Sequence, residues 1–489
     1  MKKIGIIGSG FSSLAAAGVL SHKGYEVHVF EKNECVGGRA RQFKEGGFTF
    51  DMGPSWYWMP EVFEKYFNRF GKKTSDFYEL LRLDPSYRVY FGKEDLVDIP
   101  ADFEALVQLF ERIEPGSGAH LETFIREAEY KYEVGMQEFV WKPSLSVTEF
   151  IDLRILKSLF KLQMFSSIAG QIDKLFQSEK LRNILKFPVL FLGATPENTP
   201  ALYSLMNYAD LKLGTWYPLG GMYKIVEAFE SIALEGGVKF HTSTEVHKIV
   251  FDGESATGLD TNKGMFEFDV IISGADYEHT EQRLIPPNLR IYNKKYWNDR
   301  VMAPSSLLFY LGLNTRLDGV KHHNLFFDKP FAAHAEEIYT KPSWPKEPLF
   351  YFSCPSKTDQ NIAPEGSENV FLLMPLAPDL KDSQELREKY FQMMCDRILE
   401  ITDQDIRGHI IYKRSYAMQD FKADYHAFKG NAYGLANTLW QTAFLKPKIQ
   451  HKKLKNMYFT GQLTSPGPGV PPSIISGQVV ADMIINQKK

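Results

Sequence analysis

The run Lys3-Ile4-Gly5-Ile6-Ile7 passes straight into Gly8-Ser9-Gly10-Phe11-Ser12-Ser13, and no other junction in the chain restricts its fold as strongly. A short apolar run of this kind suits a buried parallel strand, and the glycines end it. The small, helix-tolerant residues Leu14-Ala15-Ala16-Ala17-Gly18-Val19-Leu20 follow. After Gly24 comes a second strand-like run, Glu26-Val27-His28-Val29-Phe30. Strand, helix and strand in this order form a βαβ unit, which predicts a parallel sheet. In that setting Gly8 permits the tight turn and Gly10 lets the backbone approach a pyrophosphate. The helix N-terminus adds free N–H groups and the positive end of its dipole. Glu31 ends the second strand, 21 residues beyond Gly10, and is placed to accept hydrogen bonds from ribose hydroxyls. Gly8, Ser9, Gly10, Phe11, Ser12, Glu31 and Lys32 are therefore the first candidate cofactor contacts. The motif departs from GxGxxG at its third glycine, where Ser13 stands, a residue still small enough for close helix–strand packing. Taken alone, the motif is equally well read as glycines at an ordinary strand–helix turn.

At 489 residues the chain exceeds what one hydrophobic core fills, which predicts two domains. Lys plus Arg number 57 against 60 Asp plus Glu, and this balance argues against nucleic acid as a partner. Cys35, Cys354 and Cys395 are scattered, with no CxxC and no Cys/His cluster, so no metal site is expected and a reducing, cytoplasmic compartment fits. The N-terminal apolar run is broken by Gly5, Gly8, Ser9 and Gly10 and leads into the ordered motif, so it is not read as a leader. No uncharged apolar stretch approaches the roughly 20 residues of a spanning helix, which leaves peripheral contact as the expected mode of any membrane association.

Two further blocks follow the βαβ unit: Gly37-Gly38-Arg39-Ala40, and Gly46-Gly47-Phe48-Thr49-Phe50-Asp51-Met52-Gly53-Pro54. Arg39 is suited to neutralise a diphosphate as a bidentate donor. In this order the blocks resemble those of the FAD-binding amine oxidase and phytoene desaturase superfamily. Far downstream, Asn456-Met457-Tyr458-Phe459 leads into Thr460-Gly461-Gln462-Leu463-Thr464-Ser465-Pro466-Gly467-Pro468-Gly469-Val470. Pro471 and Pro472 then open a helical pattern that runs through Ile484. A helix N-terminus presented by a glycine loop suits the electron-rich edge of a reduced flavin. Gly461, Thr464, Pro466, Gly467, Gly469 and Val470 are similar to the signature of bacterial-type phytoene desaturases. The resemblance implies FAD as cofactor. To the first set of contacts it adds Gly38, Arg39, Gly53, Pro54, Ser55, Val246, Gly461, Gln462, Gly469, Val470 and Pro471, with the backbone near Val246 meeting the adenine.

The expected fold is α/β: a discontinuous Rossmann-like FAD domain from residues 1–90, 215–295 and 445–489, and an inserted α+β substrate domain from 91–214 and 296–444. The substrate segments hold many of the chain's 37 Phe and 24 Tyr, enough to enclose something large and apolar, though for any single ring core packing is the better reading. From Leu145 to Phe176, Arg154, Lys157, Lys161 and Lys174 alternate with bulky apolar residues, a pattern shared by interfacial helices and by solvated bundle helices.

The resemblance implies FAD-dependent removal of two hydrogens from a carotenoid, with phytoene as the expected substrate and quinone or oxygen reoxidising the flavin. Glu149 is the candidate proton acceptor, against the alternative of a solvated glutamate. The rival readings are a desaturase of a later hydroxylated or cyclised carotene, an amine or porphyrinogen oxidase on the same scaffold, and a non-catalytic carrier of prenyl lipids.

Overall fold

The computed structural model describes residues 1–146, 149, 166–438 and 440–487. It forms the strand Lys3–Ile7, the helix Phe11–Ser21 and the strand Glu26–Phe30 at the N-terminus. The sheet runs in the order Met457–Phe459, Val270–Ser273, Lys3–Ile7, Glu26–Phe30, Lys239–His241. Every neighbouring pair is parallel. Three separated pieces of chain thus meet in one sheet. Ile4, Ile6, Val27, Val29, Ile271 and Ile272 are buried, as a parallel sheet covered on both faces requires.

Helix Phe11–Ser21 is buried along its whole length and packs against both Tyr223–Glu235 and the C-terminal helix Val470–Asn486. Small residues make this closeness possible: a Cβ on Gly477 would lie 2.0 Å from the Ser12 carbonyl oxygen. Ser13 fits in place of the motif's third glycine because Gly274 faces it, where a Cβ would lie 2.0 Å from Ser13 Oγ. A three-stranded antiparallel sheet, Val246–Asp252, Ser255–Thr261 and Gly264–Glu267, shares a core with the parallel sheet through Ile249, Leu259, Ile7, Phe30 and Ile271.

The second large sheet has seven strands in the order Ile410–Tyr416, Ser305–Leu313, Glu368–Leu376, Phe350–Ser353, His323–Phe326, Tyr87–Tyr90 and Leu96–Ile99. Only His323–Phe326 and Tyr87–Tyr90 are parallel neighbours in it. Its last hairpin joins Tyr87–Tyr90 to Leu96–Ile99 across residue 90. Alternation along its strands gives the two faces different tasks. Leu307, Phe309, Leu311, Val370, Leu372 and Met374 share a core with Tyr390, Phe391, Met394 and Ile398 of helix Gln384–Thr402. The alternate residues Ser306, Leu308, Phe371, Leu373 and Pro375 line a cavity instead. Helix Ser117–Val134 ends in a π turn, Gly135–Phe139, and Gly135, Met136 and Phe139 of that turn line the same cavity.

The pattern over 145–176 is not one continuous helix. Residues 150–165, with Arg154, Lys157 and Lys161, lie outside the described residues. Leu145 and Ser146 are loop, and helix Ile168–Leu175, which carries Lys174, begins afresh. Ser167 is its N-cap, extended at φ −82° and ψ 151°, with its hydroxyl accepting from the Gly170 N–H. Local capping chemistry outweighs the continued apolar spacing here. Among the described residues no helix is long and apolar enough to cross a membrane.

Candidate active site

Every residue named above as a cofactor contact lines one cavity of about 890 Å³. The first loop leaves strand Lys3–Ile7 through Gly8, whose φ of +85° L side chains rarely adopt. Gly10 is different: its φ is −70°, and a Cβ built on it would meet nothing within 4 Å. The space in front of Gly10 is therefore the cradle that a pyrophosphate needs. A Cβ on Gly38 would lie 3.1 Å from Gly10 Cα, so the second glycine turn closes directly onto the first. Gly10→Val is expected to fold with an unchanged melting temperature of the apoprotein and to bind FAD at least tenfold more weakly. Flavin titration beside a thermal melt checks this, and stoichiometric FAD in the variant would remove Gly10 from the cradle.

Asp51 explains the aromatic-Asp-x-Gly-Pro block. Its carboxylate accepts from the N–H groups of Met222 (2.6 Å) and Tyr223 (3.2 Å), and so holds the start of helix Tyr223–Glu235. Two residues on, a Cβ at Gly53 would lie 2.3 Å from the Arg39 carbonyl oxygen, which fixes these two cavity residues side by side.

Arg39 is the principal cation at the cradle. It donates to the Asn431 carbonyl at 3.3 Å and sits 5.2 Å from the centre of the Tyr425 ring. With its amide oxygen toward Arg39, Gln462 accepts from both terminal guanidinium nitrogens at 2.8 and 3.0 Å. Nε of Arg39 is buried without a partner among the described residues. Burial pulls its pKa below the usual range, and nearby Asp276, itself a cavity residue, opposes that shift. A buried arginine with spare donors is the donor set that a diphosphate satisfies.

Glu31 is only 5 % exposed. One carboxylate oxygen accepts from the Ser9 N–H (3.1 Å) and hydroxyl (2.6 Å), and the other from the Asn33 N–H (2.9 Å) and amide (2.8 Å). These bonds pin the first loop to the end of the second strand while the residue still lines the cavity. Lys32 donates to the Ala423 carbonyl at 2.6 Å.

At the C-terminal helix, Pro471 and Pro472 have no N–H, and Ser473 N donates to the Gly469 carbonyl at 3.1 Å. Val470 is left, among the described residues, as the N–H of that first turn outside the helix's own bonding. It lines the cavity beside Gly469 and Pro471. An N–H at the positive end of a helix dipole suits a flavin's electron-rich edge.

Several lining residues carry no signal in the sequence. Asp276, His279, Asp424, Tyr425 and His426 all line the cavity. The rings of His279 and His426 stack at 4.0 Å, and His426 Nε2 lies 2.9 Å from Glu245 Oε1. Burial and His426 push the His279 pKa down to about 3. Arg41 pairs with Asp424 at 2.5 Å. No local motif marks these residues; tertiary folding brings them to the loop. Much of the remaining lining is apolar and comes from residues 91–214 and 296–444, among it Met136, Phe139, Val140, Phe187, Leu202, Leu205, Met206, Phe327, Phe331, Ile338, Leu349 and Phe371.

Glu149 is not among the lining residues. Its carboxylate accepts from the N–H groups of Ser144 (2.9 Å), Leu145 (2.8 Å) and Ser146 (3.0 Å), tying a loop whose Ser144 does line the cavity. Among the described residues no group of three or more His, Cys, Asp or Glu is arranged for a metal.

Residues 11–485 match the family described as flavin containing amine oxidoreductase. A carotenoid 3,4-desaturase from Haloarcula japonica is 38% identical over 98% of this chain and 97% of its own. A zeta-carotene-forming phytoene desaturase from Myxococcus xanthus is 31% identical over 99% and 94%. Among solved structures, an oxidoreductase from Methanosarcina mazei superposes with a TM-score of 0.65 at 17% identity, covering 98% of this chain and 100% of its own. With the pyrophosphate cradle, the buried arginine and the helix-terminal N–H in one cavity, the chain belongs to the flavin containing amine oxidoreductases and, within them, to the carotenoid desaturase family of FAD-dependent oxidoreductases acting on CH–CH groups.

Proposed function

We propose that this enzyme desaturates a linear carotenoid, with phytoene as its substrate, and that quinone or oxygen takes the electrons onward. The observation that carries the reading is the shared cavity: the cofactor glycines and a long set of aliphatic and aromatic side chains line one space. At about 890 Å³ it lies toward the upper end of the range, about 300–1,000 Å³, usual for ligand sites. Segments 91–214 and 296–444 contribute most of the apolar wall.

When bound, FAD supplies the two-electron acceptor for a hydride leaving carbon. The residues of the chain have the simpler tasks of holding an apolar substrate in register and keeping water out. His334 lines the apolar part, and both its ring nitrogens are engaged. Nδ1 accepts from the Leu349 N–H at 3.0 Å, and Nε2 donates to the Pro375 carbonyl at 3.0 Å. Burial lowers its pKa to about 4, so it stays neutral and is not a free base. The chemistry tolerates this, because an allylic position stabilises the developing positive charge without help from a strong base.

Expression with a supply of phytoene, in cells lacking other carotenoid enzymes, is expected to yield coloured, more conjugated products in the extracted pigment. Unchanged phytoene beside a folded, flavin-loaded protein would overturn phytoene as substrate. A second reading, action on a carotenoid that is already extended, is favoured by the 38% identity to a carotenoid 3,4-desaturase. Conversion of a later carotene but not of phytoene selects it.

A further inference from the structure

A buried cation without a counter-charge lies directly behind the C-terminal glycine loop. Lys446 is 2 % exposed, and its ammonium donates to Asn437 Oδ1 at 2.6 Å. Its other two donors have no partner among the described residues. Burying an ammonium that no carboxylate neutralises costs stability, so its presence calls for a negative partner that arrives after folding.

The surroundings identify that partner. A Cβ on Gly467 would lie 2.9 Å from Lys446 Nζ and 3.1 Å from Asn437 Oδ1, so ammonium and amide both press on the loop. Thr464 of the same loop donates to the carbonyl of Pro447, the residue after Lys446, at 2.6 Å. Lys446 is not itself a cavity residue, but Asn437 is, and so are Ser465, Pro466, Pro468 and Gly469. The loop then delivers the Val470 N–H, where the helix terminus offers a partial positive charge to a flavin's electron-rich edge. Lys446 places a whole charge behind that partial one.

We infer that Lys446 is a positioning residue for the flavin's electrons: acting through Asn437 and the Gly467 loop, its charge favours the reduced cofactor and raises the reduction potential of bound FAD. The inference concerns the cofactor alone and holds whichever carotenoid is the substrate. Burial lowers the Lys446 pKa to about 7, and no charged side chain among the described residues adds to or opposes that shift. The groups against it, Asn437 and Gly467, are uncharged, and on its own segment Lys448 is spent on the carbonyls of Ser144 and Phe444. Electrons on the flavin favour the protonated lysine, so reduction raises this pKa. In the window that opens above pH 7, each flavin reduced therefore takes up additional proton.

The test is the midpoint potential of the FAD-loaded protein from pH 6 to 10, read from flavin absorbance against a reference dye during reductive titration. At pH 6 Lys446→Met is expected to keep its FAD and to favour the oxidised cofactor at least tenfold more than the parent does, a drop of about 30 mV for a two-electron couple. The gap should close toward pH 10, where the parent's lysine is neutral as well. Lys446→Gln keeps an N–H donor for Asn437 without the charge. It should match the methionine variant, whereas a merely structural lysine predicts the parent's potential; it also carries the test if methionine disturbs the loop. Parent-like potentials in both variants at pH 6 overturn the inference. So does loss of FAD from both folded variants, which would assign the charge to the diphosphate instead.

Discussion

Arg39→Met is expected to give a folded protein without yellow colour, binding FAD on the order of a thousandfold more weakly or worse. Removing one partner of a buried charge pair costs about 2–5 kcal/mol. Arg39 belongs toward the upper end of that range because burial leaves little water to replace it. Its Nε has no protein partner among the described residues, while its terminal nitrogens meet only the neutral groups of Asn431 and Gln462. Among the described residues no carboxylate reaches it directly, although Asp276 is near enough to favour the charge. The guanidinium is thus poised for a dianionic diphosphate. Arg39→Lys keeps the charge and loses the planar fork, so it should fall between the parent and the methionine variant. The ratio of flavin to protein absorbance, with the apoprotein melting temperature as control, checks both variants. Stoichiometric flavin in Arg39→Met would show that the cradle holds the diphosphate through backbone N–H groups alone.

The cofactor half was legible because its information is local. A glycine that must face a phosphate, a strand that must be apolar on both faces and a helix that begins at consecutive prolines each leave a mark within a few residues. Ser13 shows the limit of that legibility. Whether it can replace a glycine depends on Gly274, more than two hundred residues away, which has no side chain to meet its hydroxyl. The His279–His426 stack and the Arg41–Asp424 pair are of the same kind: sequence-distant residues in no motif, placed by folding. Glu149 shows a different limit. A carboxylate in a suggestive neighbourhood proved to bind three consecutive backbone N–H groups, a use of glutamate that leaves no distinctive sequence pattern. The apolar wall was legible only as an excess of Phe and Tyr, because the alternation that sends Leu308 to the cavity and Leu307 to the core has meaning only once the sheet is placed.

Lys446→Met is expected to stabilise the protein most near pH 6, with the advantage shrinking as pH rises toward 10. Lys446 is 2 % exposed, and its ammonium donates to Asn437 Oδ1 at 2.6 Å. A Cβ on Gly467 of the C-terminal loop would lie 2.9 Å from its Nζ, so the loop leaves no room for a wider neighbour. Burial lowers its pKa from 10.5 to about 7, with no carboxylate opposing the shift. Because the folded pKa lies below the unfolded one, the unfolded chain binds more protons between about pH 7 and 10.5, and the parent's stability rises with pH across that window. Below pH 7 the native protein carries the full cost of this charge. Each tenfold loss of proton affinity on folding is worth about 1.4 kcal/mol, which puts the ceiling of that cost on the order of 5 kcal/mol. Methionine fills similar space without the charge, at the cost of the bond to Asn437, of about 1–3 kcal/mol. Other buried groups titrate as well: burial raises Asp210, Glu278 and Glu281 to about 7, so these acids lower stability as pH rises from their unfolded values to about 7 and add no slope above it. They are present in both proteins, so the difference between parent and variant isolates Lys446. Urea unfolding of the two apoproteins from pH 6 to 10 measures it. A difference that does not change with pH would mean that Lys446 stays charged in the native protein across the whole range, and that the loop at Gly467 is set by shape instead of charge.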